Sequence, residues 1–132
     1  MARRESEYPT DLELEILKVL WVEAPLPVRE VRARLEADAG RTLAHSSVIT
    51  MLNIMVRKGY LRRRKEGKAF LFSPKLEQHT LRRGVLGDLA TRLFGGSPAE
   101  MALNLIETAD IDAAELAEIR KLINRKAKEQ LP

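Results

Sequence analysis

Between Thr42 and Phe72 the chain reads TLAHSSVITMLNIMVRKGYLRRRKEGKAFLF, and its apolar spacing switches from helical to alternating at Gly59. That switch limits the segment to one helix followed by two strands. Val48, Leu52 and Met55 recur at i, i+4 and i+7, which predicts a helix with one buried stripe and a left-handed stop at Gly59. On the opposite side Ser46, Thr50, Asn53 and Arg57 follow at i, i+4, i+7 and i+11, a polar face of short hydrogen-bonding side chains closed by a cation. After Gly59 the order Tyr60 to Lys65, Glu66-Gly67-Lys68, Ala69 to Ser73 reads as strand, turn, strand. Leu61 and Arg63 alternate with Arg62 and Arg64, and Phe70 and Phe72 share one face of the return strand. One side of the hairpin can therefore pack inward while the other stays charged.

Two earlier segments supply a base for that helix. Thr10 and Glu13 form a T-x-x-E capping box, and Leu14, Leu17 and Trp21 at i, i+3 and i+7 predict a first helix with that stripe inside, running to about Glu23. Ala24-Pro25-Leu26-Pro27 reads as a breaker. Val28, Val31 and Leu35 then restore helical spacing, with Arg29, Arg32 and Arg34 outside and Gly40 at the close. Helix, helix, turn through His45, helix and two-stranded wing is the order of a winged helix-turn-helix module, expected over residues 1–74.

Residues 75–132 change character. Lys75 to Phe94 predicts a long helix weakened by Gly84 and Gly87 and broken by Gly95-Gly96. Ser97-Pro98-Ala99-Glu100 and Asp112-Ala113-Ala114-Glu115 are capping signals for two further helices. Leu116, Ile119 and Ile123 form a stripe on the last, with Leu122 beside it. Three helices of this length make a thin core alone, so a second copy is expected to cover them, with Leu89, Leu93, Leu103, Ile106, Leu116, Ile119, Leu122 and Ile123 as dimerisation residues. A two-fold dimer would place two reading helices roughly 34 Å apart on duplex DNA and favour a palindromic site. The expected fold class is mainly α: three helices and a small β-hairpin wing, then a three-helix dimerisation region.

Charge points the same way. Residues 1–73 hold 14 Lys and Arg against 10 Asp and Glu, whereas residues 74–132 hold 9 against 9. The excess is concentrated further, because Arg57 to Lys68 contains seven basic residues and one acid. A cationic hairpin beside a polar helix face is suited to phosphates. Double-stranded DNA is thus the expected partner, with Ser46, Ser47, Thr50 and Asn53 toward the major groove and His45, Arg57, Arg62, Arg63, Arg64, Lys65 and Lys68 toward the backbone. Ile49 lies off the apolar stripe and is read as packing beside the first helix, with a thymine methyl as the other candidate contact. His45 is read as a cap or a phosphate contact, and His79 as solvated. The alternative function is a protein-protein adaptor whose basic wing docks an acidic surface. A hydroxyl and amide face without exposed aromatic or Met anchors favours DNA over it.

Other chemistries are closed off. With no cysteine there are no disulfides, thiolate metal sites or cysteine nucleophiles, in keeping with a reducing cytoplasm. No convergent His, Asp and Glu spacing predicts a metal, and no cofactor is expected. The adjacent His45 and Ser46 point apart on a helix and no Gly-x-Ser-x-Gly elbow accompanies them, so no enzyme is expected. MARRESEYPTD has no apolar leader, and no stretch reaches the ~20 apolar residues of a bilayer span, so a cytoplasmic chain without membrane insertion is predicted.

Three stretches together resemble the BlaI/MecI family of penicillinase and methicillin-resistance repressors, which has copper-responsive relatives of the CopY type. They are Asp11-Leu12-Glu13-Leu14-Glu15-Ile16 with Leu20-Trp21, then His45-Ser46-Ser47-Val48-Ile49-Thr50 leading to Arg57-Lys58-Gly59-Tyr60-Leu61, then Leu103-Asn104-Leu105-Ile106. The resemblance covers nearly the whole chain. It implies a dimeric repressor with an N-terminal winged helix and a C-terminal helical dimerisation region, and no enzymatic activity. It also implies release of repression by cutting next to Asn104, through a membrane sensor with a metalloprotease domain. Leu105 stands here where staphylococcal members have Phe, and on its own residues Asn104 reads as a surface or capping asparagine. The cysteine pairs of the copper-responsive branch are absent.

Overall fold

A computed structural model describes residues 8–132. Residues 1–7, on which the expectation about a leader partly rests, lie outside the described residues. The elements run α1 (Asp11–Val22), β1 (Leu26–Pro27), α2 (Val28–Ala39), α3 (His45–Arg57), β2 (Leu61–Glu66), β3 (Ala69–Pro74), α4 (Gln78–Leu93), α5 (Pro98–Thr108) and α6 (Ala113–Glu129). The architecture is mainly helical with a small antiparallel sheet, the winged helix-turn-helix order that the spacing predicts. The chain divides into two compact units that meet within α4, after Leu86.

In the first unit α1, α2, α3 and the sheet enclose one core. Ile16, Leu17 and Leu20 of α1, Val31 and Leu35 of α2, and Val48, Leu52 and Met55 of α3 are all buried. Leu26, Leu61 and Phe72 close it from the sheet. The breaker Leu26-Pro27 is in fact a strand: Leu26 pairs with Phe72 and Pro27 with Leu71, giving the order β1-β3-β2. Sequence spacing misses it because two residues carry no period and Pro is tolerated only at a sheet edge. β2 and β3 pair from Leu61↔Pro74 to Glu66↔Ala69. The two-residue loop between them begins with Gly67 at φ 62, the left-handed conformation that a primed hairpin turn requires.

The inner stripe of α1 differs from the predicted one. Leu17 is buried as expected, but Ile16 and Leu20 accompany it, while Leu14 and Trp21 are only half-buried. The helix is apolar on two sides, so period alone does not choose the core side. Leu14, Lys18 and Trp21 instead line an open groove with Leu81, Val85 and Leu86 of α4, and the Trp21 indole N–H donates to the Leu76 carbonyl at 2.9 Å. The unit thus continues past Pro74, and the Tyr8 hydroxyl donates to the Gly84 carbonyl at 3.1 Å.

Glu13 carries more than its cap. Its carboxylate accepts from the Thr10 backbone N–H at 2.9 Å, and the Thr10 hydroxyl accepts from the Glu13 N–H at 3.3 Å, completing the capping box. The same side chain is 1 % exposed and takes the Lys58 ammonium at 2.9 Å, tying the start of α1 to the end of α3. Burial pushes its carboxyl up, but the Thr10 N–H, the Lys58 ammonium and the Thr10 hydroxyl outweigh burial and hold it below the ordinary carboxylate value. Arg41, in the turn before α3, holds Glu15 of α1 at 2.8 Å and 3.4 Å through two nitrogens. Arg32 donates to the Leu43 carbonyl at 2.7 Å in that same turn.

In the second unit the later half of α4 precedes α5 and α6. Ser97 caps α5 by accepting from the Glu100 N–H at 3.1 Å, and Asp112 with Glu115 forms a complete capping box on α6. Ala90 is the single buried hydrophobic residue among those described in this unit.

Lys58→Met should leave the Glu13 carboxylate buried without its cation and lower stability at neutral pH by about 2 kcal/mol in urea unfolding. A carboxyl with a depressed folded pKa stabilises above its unfolded pKa, and that contribution disappears as pH falls through the folded value. The parent should therefore lose more stability than Glu13→Gln as pH is lowered across the acid range. Equal acid slopes would remove Glu13 from that role.

Candidate nucleic-acid interface

Once Val48, Leu52 and Met55 are buried, helical geometry turns the opposite face of α3 outward. Ser46, Ser47, Thr50 and Arg57 are exposed there, and Asn53 is half-buried at the edge nearest the wing. The Thr50 hydroxyl donates to the Ser46 carbonyl one turn back at 2.9 Å. Its proton is therefore engaged, and Thr50 offers its surroundings an oxygen acceptor and a methyl group.

His45 is not a cap. The cap position belongs to Ala44, which supplies no side-chain hydrogen bond, and His45 is the exposed first residue of the helix. The Ser47 and Val48 N–H groups turn to the Ala44 carbonyl at 3.0 and 3.1 Å. The positive end of the helix dipole at His45 and Ser46 thus has no capping side chain, which suits a phosphate. Ile49 is half-buried and lines a groove of about 550 Å³ with Pro27, Val28, Phe70 and Phe72. The groove neighbours of Ile49 belong to the sheet and the start of α2, not to α1.

The sheet register sorts the wing cations. Cross-strand partners share a face, so Leu61, Arg63 and Lys65 stand with Pro74, Phe72 and Phe70 on one side. Arg62, Arg64 and Glu66 stand with Ser73, Leu71 and Ala69 on the other. Burial of Leu61 and Phe72 marks the first side as the inner one. Arg62 and Arg64 therefore project outward, and Arg64 makes an exposed ion pair with Glu66 at 3.3 Å, a contact of little energetic weight. Lys65 and Lys68 lie exposed near the tip. Arg63 differs from the rest: its guanidinium donates to Asn53 Oδ1 at 2.7 Å and lies 4.5 Å from the centroid of the Phe70 ring.

Sequence reasoning placed Arg63 among the backbone cations and Asn53 among the base readers without connecting them. A strand alternation that puts Arg63 in step with buried Leu61 is the signal that could have separated it. Nothing in the sequence marks Lys58 as the partner of Glu13, 45 residues away. Among the described residues no group of three or more His, Asp or Glu could hold a metal ion. No helix of the described residues is long and apolar enough to cross a membrane.

An exposed polar helix packed beside a cationic three-stranded wing defines the winged helix-turn-helix class of DNA-binding proteins. A sequence model of the penicillinase repressor family matches residues 9–125, and the chain belongs to that family. The penicillinase repressor of Bacillus licheniformis is 27% identical over 121 residues, covering 89% of this chain and 93% of that protein. The methicillin resistance regulatory protein MecI of Mammaliicoccus sciuri is 19% identical over 114 residues, covering 86% and 91%. The solution structure of the DNA-binding domain of the repressor BlaI is 30% identical, spans 55% of this chain and 85% of its own, and superposes with a TM-score of 0.48. The chain is a DNA-binding transcriptional repressor, not an enzyme.

Proposed function

We propose that two copies of this chain form the working repressor and that the pair binds a palindromic operator. The exposed polar face of α3 beside the outward cations of β2 carries the DNA half of this reading. Ser46, Ser47, Thr50 and Asn53 face base edges, while His45, Arg57, Arg62, Arg64, Lys65 and Lys68 hold phosphates and set the register.

The dimer rests on the second unit. Leu93, Leu103, Leu105, Leu122 and Ile123 are between 53% and 69% exposed, and Leu89 and Leu116 are about 40% exposed. Ile106 and Ile119 are half-buried. α5 and α6 bury no residue of their own. A run of large apolar side chains on capped helices is a surface that water disfavours, and a self-complementary two-fold interface covers it on both chains at once.

Release of the operator follows from cutting between Asn104 and Leu105, in response to a membrane sensor system with a protease. Both residues are exposed, which suits access. The bond lies within α5, however, and the Asn104 carbonyl also accepts from the Thr108 hydroxyl at 2.8 Å. A protease takes an extended peptide, so α5 must unwind locally before the cut. Loss of α5 from the apolar surface would separate the two copies and remove the second reading helix.

Fluorescence anisotropy on duplex DNA from upstream of the chain's own gene should show a preference of at least ~10³ over a scrambled duplex, with log affinity linear in log salt. Arg64→Ala should weaken all duplexes alike and lower the salt slope by roughly 1. Equal weak binding to both duplexes by the parent would instead support the adaptor reading. In sedimentation equilibrium the parent should run at twice the chain mass, and Leu122→Asp with Ile123→Asp at the single-chain mass with the first unit still folded. Mass spectrometry of induced cells should find an N-terminal fragment ending at Asn104; an intact chain under full derepression excludes the cut.

A further inference from the structure

We infer that Arg63 is a positioning residue that orients the Asn53 amide so that its amino group leads into the major groove. Asn53 then reads a base that presents acceptors there, guanine through O6 and N7 or thymine through O4. The assignment rests on α3 being the base-reading helix.

A side-chain amide has two faces to offer, an oxygen that accepts and an amino group that donates, and an unrestrained asparagine can present either. Paired with adenine it uses both at once, donating to N7 and accepting from N6. Here the choice is constrained by the wing. Arg63 stands on the inner face of β2 opposite Phe72, and its Nη1 lies 2.7 Å from Asn53 Oδ1. A guanidinium has donors only, so the oxygen of the amide must be the atom turned toward it. The Nδ2 amino group is left on the side away from the wing.

Two features keep the arrangement in place. The guanidinium lies over the Phe70 ring, 4.5 Å from its centroid, which restricts the plane in which the arginine can donate. Asn53 itself is half-buried at the wing edge of α3, where it lines the groove with His45, Ile49 and Phe70, and Arg63 holds its oxygen on that side. Arg62 and Arg64 lie on the outer face of the same strand and make no such contact with α3. Position 63 therefore differs in kind from its neighbours, although all three are arginine.

The test is selection from a pool of random DNA duplexes with the full-length parent, R63M and R63K, followed by anisotropy on duplexes varied at the position that Asn53→Ala makes indifferent. The parent should prefer guanine or thymine over adenine there by about tenfold. In R63M that preference should fall to within about twofold while the preferences governed by Ser46 and Thr50 persist. R63K retains a donor without the stacked plane, and should recover part of the preference; this also covers the case in which R63M is too unstable to assay. Adenine preferred by the parent at that position overturns the assignment, as does an unchanged base profile in both variants with only a uniform loss of affinity. A parent that enriches no site at all overturns the base-reading role of α3, and the assignment with it.

Discussion

Burial of Val48, Leu52 and Met55 against α1, α2 and the sheet is the interaction on which the rest of the first unit depends. A helix has one orientation about its axis for a given buried stripe, so removing these three side chains from water decides at the same time which residues face out. Ser46, Thr50 and Asn53 are presented because the apolar stripe lies opposite them. The sheet is held by the same core, since Leu61 and Phe72 enter it from β2 and β3 and Leu26 enters from β1. Helix and wing are consequently positioned by one set of contacts, and their spacing is a property of packing.

Polar ties then sharpen what burial leaves loose. Glu13 joins the start of α1 to the end of α3 through Lys58, and Arg41 joins the turn before α3 to Glu15. Arg63 joins the wing to the outer edge of α3 through Asn53. The first two link elements far apart in sequence and the third links neighbouring ones, and each adds direction to an apolar core that is indifferent to small sliding movements. For a protein that must match a helix and a wing to the fixed geometry of duplex DNA, such directional ties limit the loss of precision that loops would otherwise allow.

The second unit follows another logic. Side-chain caps start α5 and α6, so these helices are specified locally, yet Leu103, Leu105, Leu122 and Ile123 remain exposed. Local helix signals and global burial agree in the first unit and diverge in the second. A chain whose helices are encoded but whose apolar faces are uncovered is described by itself only in part, which is the physical basis for the proposed pairing of two copies.

Much of the architecture was legible in the sequence because it depends on local chemistry. The T-x-x-E and D-x-x-E caps, the α3 stripe, the left-handed Gly59 and the alternation of β2 and β3 are short-range signals, and each is found where spacing places it. The side of α1 that meets the core was not legible, since Leu14 and Trp21 compete with Ile16 and Leu20 for that role. β1 was hidden because a two-residue strand exists only through its partner β3. The same limit applies to the site: composition and period identified the polar face and the basic hairpin, but not that one of three consecutive arginines bonds across to an asparagine ten residues earlier. Sequence determines the periodicity, caps and charge of each element by itself. Only tertiary packing decides which faces meet, because hydrogen bonds and ion pairs between distant residues form after burial has brought their elements together.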